Sequence, residues 1–139
     1  MCYYLSLGAN IGEREKTLRM ALASIEQQIG TILRCSSFFY SEAWGFASTH
    51  EFCNLCCAVE TTLAPQEVLT RTQAIERALG RTTKSTNAVY ADRTIDIDLI
   101  RVFDAQGKEI HMETEKLTLP HKLWQEREFV KVPLAEIMQ

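Results

Sequence analysis

The stretch Arg93-Thr94-Ile95-Asp96-Ile97-Asp98-Leu99-Ile100 decides how this chain folds. Threonine, isoleucine and leucine alternate there with two aspartates, the period-two pattern of a β-strand. Successive side chains on a strand point to opposite faces, so Asp96 and Asp98 share one face. At ~3.3 Å rise per residue their Cα atoms lie roughly 6.5–7 Å apart. Two carboxylates at that spacing repel each other and are costly to bury without a cation. Mg²⁺ is commonly held by one or two such groups together with substrate phosphates. Alternating apolar and charged residues are equally the pattern of a half-buried strand with a solvated face, and the pair alone leaves both readings open.

Working outward, the segment before this strand reads as a helix that opens on Pro65 and closes at Gly80. Val68, Thr72, Ile75 and Leu79 form its core stripe, and Gln73 and Glu76 share another face. A strand over 52–62 precedes it, which makes one β-α-β unit. The first half of the chain has the same order. Tyr3-Tyr4-Leu5-Ser6-Leu7 is a strand, followed by Gly8-Ala9-Asn10-Ile11-Gly12, a turn whose two glycines permit positive φ or close backbone approach. Glu13 and Glu15 suit a helix N-terminus, Leu18, Ala21, Leu22, Ile25 and Ile29 recur at helical spacing, and Gly30 stands as a C′ residue. A second strand covers about 31–40. Polar loops are expected at 41–50, around Trp44 and Phe46, and at 80–93. Gly80-Arg81-Thr82-Thr83-Lys84-Ser85 fails as a phosphate-binding loop, because it lacks the second glycine and follows a helix. A turn at 104–108, a short return strand at 109–112 and an irregular tail complete the chain. The order β-α-β, β-α-β predicts an α+β, ferredoxin-like fold: an antiparallel sheet with both helices on one face and a short C-terminal extension, in a single domain over 1–139. That architecture hosts many unrelated activities, so the site has to decide function.

Composition narrows the classes. The 139 residues are 46% hydrophobic and 24% charged, enough to build a core without staples. A net charge of −3 gives no general attraction to nucleic acid or to an anionic membrane. No apolar run spans a bilayer and no signal-peptide pattern opens the chain, so a cytoplasmic protein is expected. Five cysteines, Cys2, Cys35, Cys53, Cys56 and Cys57, are an odd count that favours reduced thiols. Cys53 and Cys56 have the C-x-x-C spacing of zinc and redox sites. Their segment reads as a strand and no second pair accompanies them, which makes them small buried hydrophobes.

Six short motifs occur in order: Leu7-Gly8-Ala9-Asn10; Phe52-Cys53-Asn54; Gln73-x-x-Glu76 followed by Gly80-Arg81; the arginine, threonine and alternate aspartates of 93–98; Leu119-Pro120-His121; and Arg127-x-Phe129. From Tyr4 to about Ile137 the chain thereby resembles the 6-hydroxymethyl-7,8-dihydropterin pyrophosphokinase family. The resemblance implies transfer of a pyrophosphoryl group from ATP to a pterin alcohol, giving the pterin diphosphate and AMP in folate biosynthesis. It implies that Asp96 and Asp98 hold Mg²⁺, two ions with ATP, and that Arg81 and Arg93 join them as the catalytic set. The ATP side would be lined by Gln73, Glu76, Arg93, Lys116, Thr118, His121 and Arg127. The pterin would stack between Phe52 and Phe129, with Asn54 and backbone groups of Ala43 and Gly45 reading its edge. ATP and the pterin are then the partners of a monomer, with no nucleic acid or membrane involved.

Elementary chemistry agrees with that picture. Phosphoryl-type transfer needs positioning and charge neutralisation more than covalent chemistry. Guanidinium forks suit phosphate oxygens, although three arginines in surface ion pairs would contribute little. A flat heteroaromatic ring suits two aromatic side chains and one amide, although Phe52 and Phe129 would otherwise be read as core. The rival reading is a binding module for RNA or a small regulatory ligand. RNA would want a basic face with exposed aromatics, where this strand carries two aspartates.

Overall fold

The computed structural model describes residues 1–42, 51–80 and 95–138. Strands β1 (Cys2–Ala9), β2 (Thr31–Cys35), β3 (Phe39–Glu42), β4 (Glu51–Glu60) and β5 (Asp96–Phe103) form one sheet. Its order is β2-β4-β1-β5, with β3 also paired to β4, and every pairing is antiparallel. Helices α1 (Arg14–Gln28) and α2 (Pro65–Gly80) connect the strands. The fold is therefore α+β, as the alternating pattern predicts. The strand expected over 31–40 is two strands: Ser37 N–H and Oγ–H both donate to Glu136 between them, at 3.0–3.1 Å, which pulls the chain off the ladder there. The loops expected at 41–50 and 80–93 lie largely outside the described residues.

Strand alternation sorts the side chains. Tyr3, Leu5, Leu7 and Ala9 of β1 and Cys53, Leu55, Cys57 and Val59 of β4 face Leu18, Ala21 and Ile25 of α1 and Val68 and Ile75 of α2 in the main core. Both predicted helices thus lie on one face, and each such buried aliphatic contributes about 1.5–3 kcal/mol. The opposite face carries Tyr4, Cys56, Ala58 and Ile100, and a third helix covers them. This helix, α3 (Glu128–Ile137), replaces the irregular tail expected from the sequence. Val130, Leu134 and Ile137 recur at helical spacing and bury against Tyr4, Cys56, Ala58 and Ile100 of the sheet, which holds the helix together although Pro133 lies inside it.

A register shift opposite Tyr4 and Leu5 leaves Ile100 as the extra residue on β5. Before it, Asp96, Asp98 and Ile100 share the α3 face. After it, Arg101 does too, and binds Glu109 at 2.7 and 2.9 Å. Short strands β6 (Met112–Glu113) and β7 (Thr118–Leu119) pair with each other, and the bond between Leu119 and Pro120 is cis.

The two glycines of the first turn act differently. Gly12 has φ +68° and turns the chain, whereas Gly8 lies within β1. Gly30 does not take the left-handed conformation of a C′ glycine; a Cβ there would run into the Glu60 carbonyl and lie 2.7 Å from Thr61 Cβ, so close packing selects it. Among the described residues, no helix is long and apolar enough to cross a membrane.

Candidate active site

Among the described residues α3 packs on one part of its sheet face, and the motif residues collect on the rest of that face. Two cross-strand rows define the floor. Asp96 of β5 pairs with Gly8 of β1, and Gly8 pairs with Asn54 of β4. One step along, Asp98 pairs with Ser6, and Ser6 with Cys56. Asp96 and Asp98 therefore share a face, both half-buried, and Asp96 stands two strands, about 10 Å, from Asn54. Phe52, two residues before Asn54, is on the same face and half-buried, and Phe129, in the first turn of α3, packs against the Tyr4, Cys56 and Ile100 cluster of that face.

The outer edge of β5 would present unpaired backbone groups. Glu76 reaches it from α2, and its Oε2 accepts the Ile97 N–H at 2.7 Å. Burial, offset in part by that hydrogen bond and reinforced by the neighbouring Asp96 and Asp98, pushes the Glu76 carboxyl up to about 7. Glu76, Asp96 and Asp98 thus come close enough at one strand edge to act on one another. Further along, the Ile100 carbonyl accepts from His121 N–H at 2.8 Å, which seats the residues after β7 against β5. His121 Nδ1 accepts the Leu123 N–H at 3.2 Å, so the neutral ring carries its proton on Nε2. Burial, then the Arg127 charge, hold this imidazole below its usual pKa, while Asp96 acts the other way. The Arg127 guanidinium stands 5.8 Å from the Phe129 ring.

Asn54 is 4% exposed, and its Oδ1 is the buried side-chain oxygen left without a hydrogen-bond partner among the described residues. A buried acceptor in that condition costs about 1–3 kcal/mol unless something else satisfies it. A polar ligand that brings a donor to that oxygen would satisfy it.

Of the residues singled out from the sequence, Asp96, Asp98, Glu76 and His121 converge along β5, with Arg127 close enough to act on the histidine. Asn54, Phe52 and Phe129 occupy the same sheet face. Gln73 is exposed one turn before Glu76, Lys116 is exposed, and Thr118 is half-buried on β7. Arg81, Arg93, Ala43 and Gly45 lie outside the described residues. Sequence reasoning took Gly8 for a turn residue and gave Ser6 no role; the strand register puts both between the acid pair and β4. The C-x-x-C divides as a strand requires. Cys53 faces α1 and Cys56 faces α3, and burial raises their thiols to about 11 and about 12. They cannot grip one ion between them.

An α+β sheet that carries paired carboxylates and, two strands away on the same face, a buried amide oxygen without a partner offers a site for a small polar ligand. The model of the 7,8-dihydro-6-hydroxymethylpterin-pyrophosphokinase family matches residues 4–139. A 2-amino-4-hydroxy-6-hydroxymethyldihydropteridine pyrophosphokinase of Porphyromonas gingivalis is 44% identical over 135 residues, covering 96% of this chain and 88% of that protein. Proteins of the same name from Bacillus subtilis and Aquifex aeolicus are 39% and 32% identical, over 98% and 96% of this chain and 77% and 78% of theirs. The chain belongs to this family.

Proposed function

We propose that this protein transfers the pyrophosphoryl group of ATP to 6-hydroxymethyl-7,8-dihydropterin, in folate biosynthesis. The hydroxymethyl oxygen attacks the β-phosphorus of ATP, the bond from that phosphorus to the α–β bridging oxygen breaks, and AMP leaves with that oxygen. The hydroxyl proton is released. The observation that carries this reading is the placement of the acid pair Asp96 and Asp98 on the same sheet face as the unmatched Asn54 oxygen. One end of the floor suits a cation with phosphates, and the other suits the edge of a flat heterocycle.

Asp96 and Asp98 are the residues to hold Mg²⁺, two ions with ATP. With two carboxylates supplied by the chain, the nucleotide phosphates and water would provide the remaining oxygen ligands. Bound there, Mg²⁺ supplies neutralisation of the charge on the β- and γ-phosphates. His121 offers its Nε2–H to a phosphate oxygen, and Arg127 its fork. Glu76 and Gln73 of α2, with Lys116 and Thr118, border the nucleotide. Arg81 and Arg93 stabilise charge in the transition state. Phe52 and Phe129 stack the pterin, Asn54 reads its amide-like edge, and backbone groups of Ala43 and Gly45 complete the pocket.

The strand order β2-β4-β1-β5, with β2 and β3 as one divided strand, reads as the ferredoxin-like arrangement. The chain works as one domain over 1–139, as a cytoplasmic monomer, without nucleic acid or membrane. Asp98→Ala tests the metal assignment. Turnover is expected to vanish while circular dichroism and the thermal midpoint show a folded protein; turnover near that of the parent would remove it.

A further inference from the structure

We infer that Gly8 is a positioning residue for pterin binding, and that its missing side chain is what lets the Asn54 carboxamide lie across β1 toward Asp96. Gly8 is the middle member of the row Asp96–Gly8–Asn54. A Cβ built on it would collide with Nδ2 of Asn54 and lie 3.4 Å from its Cγ and 4.0 Å from its Oδ1. Those three atoms are the nearest it would meet, and all belong to the one carboxamide. Gly8 is not among the positive-φ glycines and sits inside a regular ladder, so the backbone there accepts any L-residue. Glycine in a strand interior weakens the strand and often marks a close approach of another group. Here that group is Asn54, the same side chain whose Oδ1 is buried and unmatched. Gly30 makes the contrast, since a Cβ there would press on the backbone of Glu60.

Gly8→Ala should therefore leave the sheet intact and displace the amide. This inference rests on the assignment of Asn54 to the pterin edge. The test is a double-mutant cycle with steady-state kinetics in both substrates and a thermal midpoint for each variant. Gly8→Ala is expected to raise the pterin KM about 10- to 100-fold, the size of one buried hydrogen bond lost with its partner left unsatisfied, with the ATP KM within about twofold. Added to Asn54→Ala, the same change is expected to do almost nothing further, because the residue it acts through is gone. An equal pterin effect on both backgrounds would mean that the methyl group blocks the ligand by itself, and would overturn the inference. Unfolding of both Gly8→Ala variants would overturn it too, since the glycine would then serve the backbone. Should only the single variant unfold, and the double variant fold, the clash with Asn54 is upheld. An unchanged pterin KM in Asn54→Ala would remove the pterin assignment itself. A strong Asn54→Ala effect beside a silent Gly8→Ala would remove only the role of Gly8.

Discussion

Glu76 sits where burial, and then the charges of Asp96 and Asp98, oppose its ionisation, and its carboxyl is pushed up to about 7. An unfolded glutamate titrates near 4.5. The folded state therefore binds the proton more tightly, and stability falls as pH rises from about 4.5 through about 7. Glu76→Gln keeps an oxygen for the Ile97 N–H and removes the charge. In the free protein it is expected to flatten the decline of the thermal midpoint across that window; an unchanged slope would place the titration elsewhere. Asn54 makes the second test at this scale. With its Oδ1 unmatched, Asn54→Ala is expected to weaken pterin binding far more than ATP binding in calorimetric titrations, and equal losses would dissolve the pocket as drawn.

α3 closes one half of a sheet face and so defines where the other half begins. Leu134 is 1% exposed against Ala58 and Ile100, and Leu134→Ala is expected to cost about 2–5 kcal/mol in urea unfolding. A loss under about 1 kcal/mol would mean that the helix is an appendage rather than part of the core. This element was the least legible in the sequence. Its apolar spacing at 130, 134 and 137 is helical, but Pro133 and the short run argue for a tail. The helices α1 and α2 were legible because their apolar residues repeat over whole turns, and β5 because a two-residue period admits one facing for Asp96 and Asp98. Register was not legible. Nothing in Leu7-Gly8-Ala9 says that Gly8 stands opposite both Asp96 and Asn54, because pairing across strands is fixed by the whole sheet. The bulge at Ile100 was hidden for the same reason, as was the gap at Ser36 and Ser37. Their partners, Cys56 and Glu136, are distant in sequence.

At the scale of the molecule, two helices bury one face of the sheet and a third covers part of the other. The motif residues lie on that second face along the strip from Asp98 across Gly8 to Asn54 and Phe52, with Glu76 and His121 at its edge. Asp96 and Asn54 stand two strands apart along it, and the Arg127 guanidinium, which acts on His121, lies 5.8 Å from the Phe129 ring. The proposed pyrophosphoryl transfer rests on family membership together with this placement of residues. The most direct test is to supply ATP, Mg²⁺ and 6-hydroxymethyl-7,8-dihydropterin and identify the nucleotide product by chromatography. AMP formed only with the pterin present, in equal amount to pterin diphosphate, is the expected result. ADP would mean transfer of a single phosphoryl group, and no nucleotide product from a folded sample would mean a binding module; either contradicts pyrophosphoryl transfer.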